Sequence, residues 1–428
     1  MGELATEYQE IKVSDVVWRE DLYPRFEPVP ARIQQYAECI ELLPPIEINQ
    51  RNELIDGYHR WTAHKKAGLD TIKARVTHTV SDAELDRLMV KRNADFGIQL
   101  SQEEKRRKAT RWYQALTDDV TQIADDLSVS ERTVSRWLSR RIKDLKAERD
   151  RQIAEMWLAC YTEEEIAEAV GVKEGTVHGL LPDKSLENAT WQKSRIFSQY
   201  ADPNWKPPLY DVWKVQNKSN SASHFGNSEA QWVDNLLYMY TEPFDIVADP
   251  FAGGGSTIDV CKRRLRRYWV SDRLPIVERR DIRQWDILDG PPPLHKRWGD
   301  VSLLYLDPPY WKQAEGKYSK DEQDLANMSL EGFYAAIVQL VSECAKRMHS
   351  GSHIALLIQP TQWRAPDRQV VDHIVDLLLR LQDASIQYVR RIVCPYESQQ
   401  CTAQQVEWAK ENREVLVISR ELIIWKVE

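Results

Sequence analysis

The segment VSLLYLDPPYW (Val301 to Trp311) is an apolar run that ends in an acid, two prolines and two aromatic residues. That combination suits a particular chemistry. The exocyclic amine of a nucleobase is a poor nucleophile, because its lone pair is delocalised into the ring. A carboxylate and a backbone carbonyl that accept its two hydrogens draw the nitrogen toward a tetrahedral state and free the pair to attack a methyl sulfonium. Asp307 and the Pro308 carbonyl are the candidate acceptors, and Pro308 and Pro309 stiffen the backbone so that both are preorganised. Tyr310 offers an aromatic face to a base that has left its duplex stack.

A second group lies in DIVADPFAGGGSTIDVCKRRL (Asp245 to Leu265), a short apolar strand followed by an acid, a glycine-rich turn and a helix. Gly253, Gly254 and Gly255 allow close approach of the backbone to a ligand, and Asp249 can bind a cationic amino group. A plain strand-to-helix turn would look similar, but the turn lacks the GK[ST] ending of a phosphate loop, which argues against nucleotide hydrolysis. The next strand, RRYWVSD, ends in Asp272, where an acid reaches the hydroxyls of a ribose.

Both groups need strands that end on one edge of a sheet. From Asp245 onward, apolar runs (Ile246 to Ala248, Tyr268 to Val270, Leu303 to Leu306, Ile354 to Ile358, Tyr388 to Val393) alternate with helical patterns, which predicts a doubly wound α/β, Rossmann-like domain. DPFAGGGST followed by LDPPY resembles the S-adenosylmethionine-dependent amino methyltransferases of DNA, the class that acts on adenine N6 or cytosine N4. HFGNSEAQWVDNLLYMYTEPFDIVADPF and the closing AQQVEWAKENREVLVISRELIIWKV are similar to that family's segments before the cofactor strand and at the final hairpin, so the resemblance covers roughly residues 205–428.

The resemblance implies S-adenosylmethionine as cofactor. Asp249, Pro250, Phe251, Ala252, Gly253 and Gly255 would hold its methionine part, Asp272 its ribose, and Asp281 or Asp286 its adenine, Asp281 being preferred. SDRLPIVERRDIRQWD leaves no room for the helix that normally follows the second strand. Asp307, Pro308, Pro309 and Tyr310 are the catalytic set. Cytosine members tend to carry Ser where this chain has Asp307, which favours adenine N6. Cytosine C5 chemistry needs a cysteine nucleophile, and none lies near Asp307. Only about 50 residues separate the two motifs, so target choice falls to the polar stretch Lys312 to Asn327, expected as a loop over the base pocket, and to the N-terminal half.

In that half, strand-like runs (Ile11 to Val17, Ile46 to Ile48, Ile72 to Val76) and a helix over Arg32 to Leu42 predict a small α+β domain. IKVSDV, YPRF, LPPIEI and LIDGYHRWTAHKKAG resemble the N-terminal domain of ParB-like partition proteins. Gly57-Tyr58-His59-Arg60 replaces the Gly-Glu-Arg-Arg box of the CTP-binding members, so CTP is not expected, while Asp56, His59 and Arg60 remain a candidate phosphate site. Ser101 with Glu104 predicts a capping box. IADDLSVSERTVSRWL and IAEAVGVKEGTVHGLL then repeat at a spacing of 43 residues, from Ile123 to Ile166, with helix-turn-helix character. Arg132, Thr133, Ser135, Arg136 and Arg140 are the candidate DNA contacts of the first copy. The second copy is poorer in charge.

The expected organisation is therefore a ParB-like domain over 1–100, a helical region over 101–185, and a methyltransferase domain over 186–428 with residues 186–227 as a linker packed on it. A net charge of −8 confines nucleic-acid contacts to local basic patches. Six scattered cysteines without CxxC spacing give no zinc site, no apolar run approaches a bilayer span, and the opening residues carry no secretion signal. These features predict a cytoplasmic, nucleoid-associated protein with double-stranded DNA as partner, a homodimer being left open, and the resemblance to a partition-like domain fused to a methylase implies a phage or mobile element. Competing readings are an N4-cytosine methyltransferase, an RNA methyltransferase, and a ParB-like adaptor whose methyltransferase fold no longer turns over.

Overall fold

The computed structural model describes residues 8–24, 29–95, 100–113, 119–181, 208–214, 229–362, 368, 370–395 and 401–428, and the chain divides into two compact units, Met1–Glu148 and Arg149–Glu428.

In the first unit β1 (Tyr8–Lys12), β2 (Ile46–Ile48), β3 (Leu54–Asp56) and β4 (Thr71–Val76) form a sheet in the order β1-β4-β2-β3, with β2 and β4 parallel. Alternation along β4 puts Ile72 and Ala74 into a core with Ile46, Ile48 and Leu54. β1 stops at Lys12, because Val13–Asp15 tightens into a 3-10 turn that buries Val13. The helix expected over Arg32 to Leu42 is two pieces, Pro30–Ala37 and a 3-10 turn Ile40–Leu42.

Beyond the sheet the capping box forms as expected, with Ser101 Oγ accepting from the Glu104 amide and the Glu104 carboxylate accepting from the Ser101 amide. The first repeat copy is a helix Val120–Asp126, a turn with Ser128 at φ 50°, and a long helix Glu131–Leu158. Ile123, Leu127, Val134 and Leu138 close its core.

In the second unit, β5 (Ile246–Asp249), β6 (Arg267–Asp272), β7 (Arg283–Gln284), β8 (Val301–Leu306), β9 (His353–Ile358), β10 (Ile386–Pro395) and β11 (Ser419–Val427) form a seven-stranded sheet in the order β10-β11-β9-β8-β5-β6-β7. β5 to β9 are parallel, and β11 runs antiparallel to both β9 and β10. β5 is therefore flanked by β6 on one side and β8 on the other, so the strand order reverses beside it. Open α/β sheets bind ligands at such a switch point, outside the carboxyl ends of the strands. No helix intervenes between β6 and β7, as expected, and β10 and β11 pair antiparallel as in a final hairpin, with a helix Ala403–Asn412 preceding β11.

The division between units falls inside the long helix, at 148/149, whereas boundaries near 100 and 185 were expected. The reason is apolar burial. Ile153, Leu158, Ile166 and Val177, the last two from the second repeat copy, share a core with Val247 and Leu303 of the sheet. Three arginines also cap the end of the long helix: Arg267 Nε donates to the Trp157 carbonyl at 3.1 Å, Arg283 to Ala159 at 2.7 Å and Arg297 to Cys160 at 2.7 Å. Helix C-termini leave such carbonyls unpaired and carry partial negative charge, so cations there are doubly favoured.

The second repeat copy is thus part of the α/β core. Replacing its fully buried Ile166 by Ala is expected to lower stability by about 2–4 kcal/mol, the usual cost of deleting a core side chain. Urea unfolding checks this, and a loss below about 0.5 kcal/mol would show that the copy is peripheral to the fold.

Candidate active site

Three acids reach one cavity because three neighbouring parallel strands end there. Asp249 closes β5, Asp272 closes β6, and Asp307 follows β8. The cavity has a volume of about 370 Å³, within the range of small-molecule sites. Its lining includes Pro250, Phe251, Ala252, Gly253 and Pro309 from the two motifs, so eight of the twelve expected cofactor and catalytic residues line one space.

The glycine turn shows why its residue types are needed. The Asp249 carboxylate lies under the turn, accepting from the Thr257 hydroxyl at 2.6 Å and the Phe251 amide at 2.8 Å. Asp272 accepts from the Gly253 amide at 3.0 Å and from the Leu274 amide at 2.9 Å, which ties the ends of β5 and β6 together. Gly255 begins the following helix at φ 82°, and a Cβ there would sit 2.9 Å from the Arg279 guanidinium carbon. Gly255 therefore shapes the turn and does not line the cavity.

Asp281 is also outside the cavity lining. Arg279 Nε holds it at 2.9 Å and Lys262 lies at 3.4 Å, so its carboxylate is committed to the far side of the turn. Asp286, its alternative, lines the cavity beside Trp285, Ile287 and Leu288 and is held by Arg273 Nε at 2.9 Å. Sequence reading missed the apolar part of this wall, because β7 is too short to give a strand pattern.

The DPPY turn is pinned from behind. Trp311 is buried, its indole donates to the Met328 carbonyl at 3.0 Å, and its own carbonyl accepts from Thr361 at 2.9 Å. Tyr310 donates its hydroxyl to Asp307 Oδ1 at 2.9 Å. Pro308 and Tyr310 stand beside the cavity and do not line it. The expected loop does cover the site, since Lys317, Tyr318, Gln323, Asp324 and Leu325 form part of the lining. Arg273 ties that loop to the wall after β7 by pairing with both Asp286 and Asp321.

The electrostatics are those of a site prepared for positive charge. Burial pushes Asp249 up to about 7, with the negative charges of Asp307 and Asp272 adding to the shift and the Thr257 and Phe251 hydrogen bonds opposing it. Burial likewise pushes Asp307 up to about 6, against Arg420 and the Tyr310 hydroxyl, and Tyr318 up to about 12.

Elsewhere the expected residues are dispersed. Arg132, Ser135, Arg136 and Arg140 are exposed on the long helix at spacings of three and four, hence on one face, while the Thr133 hydroxyl is engaged by Ser130 at 2.9 Å. Asp56, His59 and Arg60 border a separate cavity of about 230 Å³ with Trp18, Tyr23 and Tyr58. There Arg60 pairs with Asp56 at 2.8 Å, and His59 Nε2 accepts from the Val29 amide at 3.0 Å. The HFGN segment lies outside the described residues. No group of three or more His, Cys, Asp or Glu among the described residues is arranged to hold a metal, and no described helix is long and apolar enough to cross a membrane.

The Asp249 shift fixes a sign for stability. Its carboxyl is raised from 3.8 to about 7, so its contribution is full below about pH 4 and is lost as pH rises through 7. Urea unfolding between pH 4.5 and 7.5 should show a loss of roughly 2–4 kcal/mol that shrinks in Asp249→Asn. An undiminished loss in that variant would assign the effect to another group.

A family model described as DNA methylase matches residues 92–273, taking in the glycine turn and ending before Asp307. The type II methyltransferase M.XycI of Xanthomonas campestris pv. cyanopsidis is 32% identical over 78 residues, 18% of this chain and 25% of that protein. The chain thus spans about a quarter of the length of this curated relative. Among solved structures, TrmN from Thermus thermophilus is 14% identical with a TM-score of 0.29, covering 48% of this chain and 50% of its own. The C-terminally truncated chromosome-partitioning protein ParB from Caulobacter crescentus, complexed to the centromeric parS site, is 17% identical with a TM-score of 0.24, covering 40% and 83%. Scores this low leave the fold to be read from the strand order itself. Over residues 92–273 the chain is similar to the DNA methylase family.

Proposed function

We propose that this protein transfers a methyl group from S-adenosylmethionine to the exocyclic amine of a base flipped out of double-stranded DNA, adenine N6 being the favoured target. The observation that carries this reading is the cavity at the switch point of the sheet, where Asp249, Asp272 and Asp307 converge with Phe251 and Trp285. Three buried or half-buried acids in one cavity repel one another, and a ligand with a sulfonium and an ammonium offsets that repulsion. S-adenosylmethionine supplies those charges and the methyl group.

The residues present fit it. Asp249 with the turn Phe251 to Gly253 faces its amino acid part, Asp272 its ribose hydroxyls, and Asp286 with Trp285, Ile287 and Leu288 its adenine. Asp307 and the Pro308 carbonyl accept the hydrogens of the target amine. The incoming base needs both Asp307 and the ring of Tyr310, so it displaces the Tyr310 hydroxyl from Asp307 as it stacks. Asp307 accepts the amine hydrogen most strongly when ionised, and its carboxyl is pushed up to about 6. The side chain that selects adenine over cytosine is sought in the loop bearing Lys317 and Tyr318. DNA is held through the exposed face Arg132, Arg136 and Arg140 in the first unit, which resembles ParB-like proteins.

Two experiments test this. Labelled S-adenosylmethionine incubated with unmethylated DNA should yield labelled N6-methyladenine by mass spectrometry of nucleosides, with activity falling below pH 6 and reduced about 10²–10³-fold in Asp307→Ala. Labelled N4-methylcytosine would keep the mechanism and correct the base, whereas label in RNA alone, or none, would overturn the reading. Separately, alanine at Arg132, Arg136 and Arg140 should weaken DNA binding, reducing the slope of log K against log salt by about one per lost phosphate contact. An unchanged slope would place the DNA surface elsewhere.

A further inference from the structure

The Asp307–Tyr310 pair has a third member that arrives from the far end of the chain. Arg420, at the start of β11 opposite Cys394, places its guanidinium carbon 5.3 Å from the centre of the Tyr310 ring and 5.5 Å from that of Trp232. Trp232 is a fixed wall, 2% exposed, with its indole donating to the Trp213 carbonyl at 3.1 Å. Arg420 thus lies over both a buried indole and the tyrosine, contacts that suit its planar, weakly hydrated head. The next residue, Glu421, is bonded to Arg391 at 2.7 Å across the strand pair.

A ring has two faces. With Arg420 over one face of Tyr310, the other face is the one left for a base to stack on. The groups that act electrostatically on or with Asp307 are Asp249 at the end of β5, Tyr310, Tyr318 in the covering loop and Arg420. Arg420 is the cation of that set.

We infer that Arg420 is a positioning residue for the proposed methyl transfer, bracing the face of Tyr310 turned away from the base and offsetting the charge of the Asp307 carboxylate without touching the substrate. This rests on the function proposed above. It assigns to β11 a role in the site that neither motif announces.

The test compares Arg420→Gln, Arg420→Lys and, as a control on the same strand pair, Arg391→Gln. Two readouts are needed. The first is single-turnover methyl transfer from pH 5 to 8.5. The second is titration of the Asp307 carboxyl in the free protein by carbon-13 NMR, assigned by loss of its signal in Asp307→Asn.

Arg420→Gln should move the acid limb of the rate and the NMR midpoint upward together by about one pH unit, with the maximal rate reduced and cofactor affinity unchanged. Arg420→Lys should restore most of the midpoint but less of the rate, because an ammonium cannot stack as a guanidinium does. Arg391→Gln should move neither. A rate lowered equally at every pH, with the NMR midpoint unmoved, would overturn the inference and leave Arg420 a merely structural residue. If wild-type protein transfers no methyl group while the NMR midpoint still moves in Arg420→Gln, the electrostatic link stands and the proposed reaction falls.

Discussion

Desolvated carboxylates are expensive to hold, and this fold gathers them. A parallel sheet brings β6, β5 and β8 side by side with their carboxyl ends on one edge, and each of the three ends in, or leads into, an aspartate. Backbone amides of the glycine turn, the Thr257 hydroxyl and the Tyr310 hydroxyl hold these acids in place but do not neutralise them. Burial raises Asp249 to about 7 and Asp307 to about 6, an electrostatic cost of gathering acids that positive charge in the cavity would offset. The features around the cavity serve that need: the switch point, the positive-φ glycines, the buried anchor Trp311 and the loop fastened by Arg273.

What could be read from the sequence was what chemistry writes locally. The glycine turn and LDPPY are contiguous, and the long parallel strands are near-continuous apolar runs, so β5, β6, β8, β9 and β10 were foreseeable within a few residues. β7 was not, being only two residues long, and neither was β3, whose LID lacks the apolar-polar-apolar alternation that marks the equally short β2. The choice between Asp281 and Asp286 was not legible either. Each sits near an arginine, and it takes three dimensions to see that Arg279 holds one outside the cavity while Arg273 holds the other within it. Arg420 is more than 100 residues from Asp307 and belongs to no pattern, so nothing in the order of residues pairs them.

The two repeat copies show how one pattern can meet two fates. Ile123 and Val134 occupy the same positions as Ile166 and Val177, and all four are fully buried. The difference lies on the other side of each helix pair. The first copy leads into a long helix whose exposed face carries Arg132, Arg136 and Arg140. The second has Gly175, His178 and Gly179 there and contributes its apolar residues to the core that backs the sheet. Hydrophobic spacing identified the motif, and charge distinguished the copy with an available face.

The three arginines at the end of the long helix also bear on how such a protein is assembled over evolutionary time. Arg267, which is 9% exposed, along with Arg283 and Arg297, finds its acceptors on Trp157, Ala159 and Cys160, well before the aspartate motifs begin. A gene fusion that joined the α/β sheet to a new partner at the Pro- and Ser-rich stretch after residue 181 would strand these guanidiniums beside a stripped core. The unit that can be inherited intact therefore includes the last turns of the preceding helix, and the seam for recombination lies within that helix.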